Sequence, residues 1–272
     1  MSTCLTSRAC HRRLASTTRR GGGTRRREAP ENVANLFAWW RADSGIVIDT
    51  GVSSWTDRRN GHVLSQAIAA RQPVYSAAAA TMNNQATLTF DGTNDELFSP
   101  EAASVWKFLG GDQCSVYGAY RTTAQNWNPI LATENNGGGG DRSGFMLAAR
   151  EAGAFTNNNW SVWVPKITSG FHATATSPAG DAPINTRSYI TYHAPGGLSH
   201  IRPSFPDASP TALTVSGSQG SLDPSTSLYC GGYLPGGTFF TGAVAEIIIY
   251  SAALSAADDN AIRAYLVGRY SI

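Results

Sequence analysis

The alternation of apolar and polar positions is clearest towards the end of the chain. From Gly242 to Tyr250 the sequence reads GAVAEIIIY, a β-branched and aromatic run of strand length interrupted by one acid and too short to cross a membrane. The period then changes. Ser255 stands at an N-cap position with Asp258 three residues on, and Ile262, Tyr265 and Leu266 recur at helical spacing, which predicts one amphipathic helix over 255–268. Upstream, the apolar runs are short, as at 115–120, 188–192 and 227–230, and Gly, Pro, Asn, Ser and Thr punctuate them. A parallel α/β sheet would need several crossover helices, and no other stretch keeps a 3.6-residue period. The pattern predicts two antiparallel sheets with one short C-terminal helix.

Charge separates the chain into two parts. Of its 21 basic and 19 acidic residues, residues 1–29 hold eight arginines (Arg8, Arg12, Arg13, Arg19, Arg20, Arg25, Arg26 and Arg27) and one acid, Glu28. Thirteen basic and eighteen acidic residues remain, so the arm carries +7 and the body −5. The arm has almost no large apolar residues and includes Gly21, Gly22 and Gly23, so it cannot bury enough surface to fold alone. This divides the chain into an extended Arg-rich arm, 1–32, and a β-sandwich, 33–272. Four readings of the arm compete: a flexible tail, a segment lying across a neighbouring subunit, a nucleic-acid contact and a transit peptide. No aromatic residues interleave the arginines to stack on bases, and the glycines interrupt an amphipathic helix. Anchoring on a neighbour, with Arg forks on carboxylates and carbonyls, leads. The apolar core of a secretory signal does not follow the arginines, and no apolar run is long enough to span a membrane.

The closing pattern, Gly242, Ala245, Glu246, Ile247 to Tyr250, Leu254, Ser255, Tyr265, Leu266, Arg269 and Tyr270, is joined by three earlier stations. These are Leu36 to Asp43 (LFAWWRAD), Trp55-Thr56-Asp57, and Leu88 to Asp95 (LTFDGTND). From about residue 33 onwards their order resembles concanavalin A-like lectin/glucanase, or laminin-G-like, jelly-roll domains of the bacterial and bacteriophage type. The resemblance implies an all-β, two-sheet antiparallel jelly-roll sandwich, with Trp39, Trp40 and Trp55 in or beside the core. It is nearly silent on activity, because that superfamily carries lectins, adhesion modules, hydrolases, lyases and structural domains.

Candidate chemistry is sparse. Alternation on a strand would aim an E-x-D-x-E run into one groove, and no glutamate here has a second acid two or four residues away. The five histidines have no motif context for a Ser-His-Asp arrangement. Arg187, Tyr189 and His193 fall on alternate positions of one strand face, which admits a lyase reading beside that of an ordinary half-exposed strand. Asp91, Asn94 and Asp95 offer hard oxygen ligands for calcium on a tight turn, against the alternative that they cap their own backbone. Asn126, Trp127 and Asn128, with Asn159 and Trp160, combine flat rings and amides suited to sugar binding, against the reading of ordinary β-turns. Cys114 and Cys230 read as buried small apolar residues or a cross-strand disulfide, and Cys4 and Cys10 could close a small loop if oxidised.

The expectation is a non-enzymatic structural or interaction module. It is first a bacteriophage virion protein, a capsid decoration or tail component, held by its arm to other virion proteins within a homo- or hetero-oligomeric assembly. Host surface glycans are a further partner. The alternative is a glycan-binding, lectin-like adhesion module outside cells or at their surface, and a polysaccharide hydrolase or lyase comes third. Neither nucleic acid nor membrane is expected as a partner, and calcium is the one cofactor the residues suggest.

Overall fold

The computed structural model describes residues 29–110, 113–124, 128–133, 144–150, 159–165, 171–176, 185–194, 198–199, 211–212, 214–215, 226–233 and 237–272. In chain order the first elements are α1 (Ala29–Asn32), β1 (Leu36–Arg41), β2 (Ile46–Ile48), β3 (Val52–Thr56), β4 (Val63–Ser65), β5 (Val74–Ala79), β6 (Gln85–Asp91) and β7 (Leu97–Phe98). Then come β8 (Cys114–Thr122), β9 (Asn128–Ala132), β10 (Met146–Arg150), β11 (Asn159–Pro165), β12 (Phe171–Thr176), β13 (Ser188–Ala194) and β14 (Leu198–Ser199). The last are β15 (Thr211–Ala212), β16 (Thr214–Val215), β17 (Tyr229–Cys230), β18 (Gly232–Tyr233), β19 (Thr238–Phe239), β20 (Thr241–Tyr250) and α2 (Ala256–Tyr270).

Two antiparallel sheets face each other. One has six strands in the order β13-β8-β20-β6-β5, with β1 also pairing with β20; the other has ten, in the order β16-β12-β11-β10-β9-β17-β7-β4-β3-β2. The strand with the most recognisable sequence, β20, is central. Its first half pairs with β6, Thr241 opposite Asp91 and Val244 opposite Leu88, and its second half with β1, Glu246 opposite Arg41 and Tyr250 opposite Leu36. Its other edge is filled by β8. Gly242 opens this strand for a steric reason: at φ +155°, a Cβ there would collide with the Arg121 carbonyl oxygen of β8.

Alternation then sorts side chains between two cores. Trp40, Val244, Ile247 and Ile249 join Trp55, Leu64, Leu97, Leu131, Leu147 and Val162 between the sheets. Trp39, Ile248 and Tyr250 face the other way, against Ile262, Leu266 and Tyr270 of α2. Burying each large side chain contributes about 1.5–3 kcal/mol. The helix begins where predicted, with the Ser255 hydroxyl accepting from the Asp258 amide at 3.2 Å and donating to its carboxylate at 2.7 Å. Trp39, Trp40 and Trp55 are all fully buried, as the resemblance implied.

One expectation is corrected. The expected half-exposed strand at Arg187 to His193 is instead β13, which starts at Ser188 and is buried on both faces from Ser188 to His193, because Ile190 and Tyr192 enter the inter-sheet core while Tyr189 packs under α2. Cys114 and Cys230 are buried thiols that form no disulfide.

Candidate functional site

Glu246 has no exposed surface. A β-bulge sets its direction: between Val244 and Glu246 the strand advances two residues while β8 advances one, from Tyr120 to Ala119. Without that extra residue, Glu246 would share the face of Val244 and point between the sheets. Instead it turns towards α2, where Trp39 Nε1 and Tyr265 Oη donate to Oε1 and Tyr270 Oη donates to Oε2 at 2.7 Å. Burial pushes its carboxyl above the usual range, although the Tyr270 and Trp39 hydrogen bonds and the Arg269 and Arg41 charges offset part of the rise. All its contacts run to the elements it joins, so this acid fastens the helix to the sheet.

A second buried network brings together a serine, a histidine and an aspartate that sequence reasoning did not connect. His193 Nδ1 lies 2.8 Å from Ser115 Oγ, and its Nε2 lies 3.1 Å from Asp259 Oδ1. Asp259 also accepts from Tyr117 Oη at 2.9 Å and from Arg263 Nε at 2.9 Å. The order suggests a nucleophile, but its surroundings give a different role. Ser115 Oγ donates to Ala252 O at 3.1 Å and accepts from the Leu254 amide at 3.1 Å. With His193 Nδ1 as its third polar neighbour, the hydroxyl is enclosed by partners inside the fold. Ser115 is completely buried, leaving no place for a reacting carbonyl beside it. The network ties the turn after β20, and the start of α2, to β8 and β13. Its bonds between β8, β13 and α2 join residues 66 to 142 positions apart, and only strand pairing could have predicted their meeting.

The residues proposed from sequence divide into three groups. The eight arm arginines, Cys4, Cys10, Asn126 and Trp127 lie outside the described residues. Asn128 and Trp160 are brought into one cross-strand row, on either side of Ala149, with Asn159 opposite Arg150 in the next. On the Asp91 turn, Asp91 Oδ1 accepts from the Thr93 amide at 2.7 Å and the Asn94 amide at 3.3 Å, and Asp95 Oδ2 accepts from the Asp91 amide at 2.9 Å. These are the self-capping contacts of the turn. No cluster of three or more His, Cys, Asp or Glu suited to a metal occurs among the described residues.

A different candidate lies on the outer face of the ten-stranded sheet. Leu64, Leu97, Cys230, Leu131 and Leu147 give their row to the core, so the neighbouring row lies on the sheet's other face, where Ala132 and Met146 are themselves buried and Ser54, Ser65, Phe98 and Tyr229 are partly exposed. Pairing runs along it from Ser54 to Ser65, Phe98, Tyr229, Ala132 and Met146, and the backbone of Trp163 continues the row. Phe98 and Tyr229 are partly exposed, and their ring centroids lie 5.9 Å apart with planes inclined by 33°. Two residues before Phe98, Glu96 is 1% exposed and holds Arg71 Nη2 at 2.7 Å. Burial raises the Glu96 carboxyl above its usual range, against the Arg71 charge and the Gln66 contact. Burial also raises the Tyr229 phenol; the Glu96 charge adds to this and Arg71 opposes it. The signal was present in the sequence: once Leu97 and Cys230 are given to the core, alternation puts Glu96, Phe98 and Tyr229 on the other face.

No protein-family model and no curated protein matches the chain. Among solved structures, a mutant of Trypanosoma rangeli sialidase displaying trans-sialidase activity is similar at TM-score 0.52 and 16% identity, covering 86% of this chain and 33% of that one. Trypanosoma rangeli sialidase in complex with sialic acid follows at 0.50 and 14%, covering 87% and 33%. The chain thus spans about a third of the sialidases it matches, and at this identity the likeness is one of fold. The Ruminococcus gnavus IT-sialidase CBM40 bound to α2,3-sialyllactose matches at 0.49 and 20%, covering 65% and 95%.

Proposed function

We propose that the chain is a non-catalytic carbohydrate-binding module, a jelly-roll sandwich that holds glycan against the outer face of its ten-stranded sheet. The observation that carries this reading is the Phe98–Tyr229 ring pair beside the Arg71–Glu96 ion pair. Sugars present apolar C–H faces that stack on aromatic rings and hydroxyls that need a few placed polar groups, and Ser54 and Ser65 extend the same row. The buried acids support the non-catalytic part, since Glu246 and Asp259 are engaged in fastening α2. A glycan array probed with the full chain should give a defined signal that Tyr229→Ala and Phe98→Ala each weaken by about tenfold, with circular dichroism unchanged. Silence of the full chain across the array, or binding indifferent to both substitutions, overturns the reading. Trp127→Ala and Trp160→Ala, run in parallel, test the glycan candidates read from the sequence, Asn126, Asn128 and Asn159 with these two tryptophans.

Attachment to a virion through the arm is kept as a second reading, with which the geometry of the body is compatible. Tyr250 Oη donates to Pro30 O at 3.1 Å, and Val33 packs with the α2 cluster, so the arm leaves from the helix-covered side, opposite the ring pair. Anchoring through the arm and display of the ring face would not compete. The neighbours named above are sialidases and a sialidase module, and they lend the virion part no support. Co-sedimentation with particles should be lost when residues 1–28 are deleted, and unchanged incorporation removes this reading.

A further inference from the structure

On the premise that the ring pair binds glycan, we infer that Arg71 selects for sugars that carry a carboxylate, a hexuronate or a related acidic residue, and that Glu96 is its positioning residue. The guanidinium offers five N–H groups in a planar fork. One nitrogen is held by Glu96 Oε1 at 2.7 Å, and the side chain remains 29% exposed. Its other N–H groups have no partner among the described residues. Glu96 stands two residues before Phe98, which pairs with Tyr229, and the Glu96 amide donates to the Arg71 carbonyl at 3.1 Å, so the fork lies at the β7 end of the ring pair and a saccharide stacked on the rings has a donor group near its edge. A planar fork recognises a carboxylate through two parallel hydrogen bonds, whereas a hydroxyl takes one.

Glu96 sharpens the selection and limits it. It is fully enclosed, with Gly232 packed so closely that a Cβ there would come within 2.9 Å of Glu96 Oε2, and Oε2 has no hydrogen-bond partner. It therefore cannot turn outwards to meet a ligand, and its role is to fix the fork. Its negative charge also competes with a ligand carboxylate for the same guanidinium. Neutralising Glu96 without changing its shape should strengthen acidic-sugar binding and leave neutral-sugar binding alone.

Titration calorimetry of the full chain, with two oligosaccharides that differ only by hexuronate in place of hexose, tests this. The acidic partner should bind more tightly by about tenfold. Arg71→Ala should bring the ratio to about one, Arg71→Lys should leave it in between, and Glu96→Gln should raise it. Equal binding of the two sugars, or a ratio that survives Arg71→Ala, overturns the inference while the ring platform stands. A lower ratio in a folded Glu96→Gln protein overturns the competition. Binding of neither sugar, with Tyr229→Ala indistinguishable from the full chain, brings down the ring platform and the inference together. If Glu96→Gln does not fold, the two Arg71 variants still decide the matter.

Discussion

Asp91 and Asp95 sit on one turn and titrate in opposite directions. At Asp91, burial acts upwards but is outweighed by the Thr93, Asn94 and Asp95 amides, and the carboxyl falls below its usual range. Asp95 is 6% exposed; burial dominates, the Asp91 charge adds to it, and the carboxyl is pushed up to about 6 from 3.8. A carboxyl raised on folding contributes stability that is complete below its unfolded value and is lost as the pH rises through the folded one. Asp95 therefore weakens the fold between about pH 4 and 7. Asp95→Asn keeps the acceptor for the Asp91 amide and removes the titration. Urea unfolding should show the variant gaining about 1–2 kcal/mol on the parent chain between pH 4.5 and pH 7.5, and parallel curves would refute it. The sequence spoke clearly at this scale where chemistry is local: the Ser255 cap and the turn-capping role of Asp91 could be read from neighbours. Ser115, His193 and Asp259 could not be linked, because nothing local joins three elements so far apart in the chain.

The strand-to-helix unit of β20 and α2 was the most legible element, since both its periods lie within one continuous stretch. Its cover over β13 was not legible. An alternating strand looks the same whether water or a helix lies on its outer face, so β13 read as half-exposed. What holds this unit down is polar as well as apolar, and Ser115 is the pivot. Ser115→Ala removes the acceptor for the Leu254 amide and a partner of His193, leaving buried groups unpaired at a cost of about 1–3 kcal/mol. Hydrogen exchange should quicken first in α2 amides, with β6 and β20 following only the global loss of stability. Uniform acceleration across all these elements would show that the network stabilises the fold without fastening the helix.

For the whole molecule, charge and architecture divide at the same place. The charge boundary lies near residue 29, and packing begins there too, with Pro30 held by Tyr250 and Val33 in the helix-side core. A chain lacking residues 1–28 should unfold within about 2 °C of the full chain, whereas removal through Val33 should lower Tm by several degrees; equal effects would mean that the arm itself packs on the body. The two-sheet class was legible because short apolar runs between turn residues leave few alternatives, while the ring face needed the register of six strands to assemble. That register also has a consequence for biosynthesis. The strand at the centre of the six-stranded sheet is translated after all three of its partners. Until the ribosome delivers β20, the nascent chain holds β1, β6 and β8 with open edges facing a gap. The sheet can close through its middle only once β20 has been made.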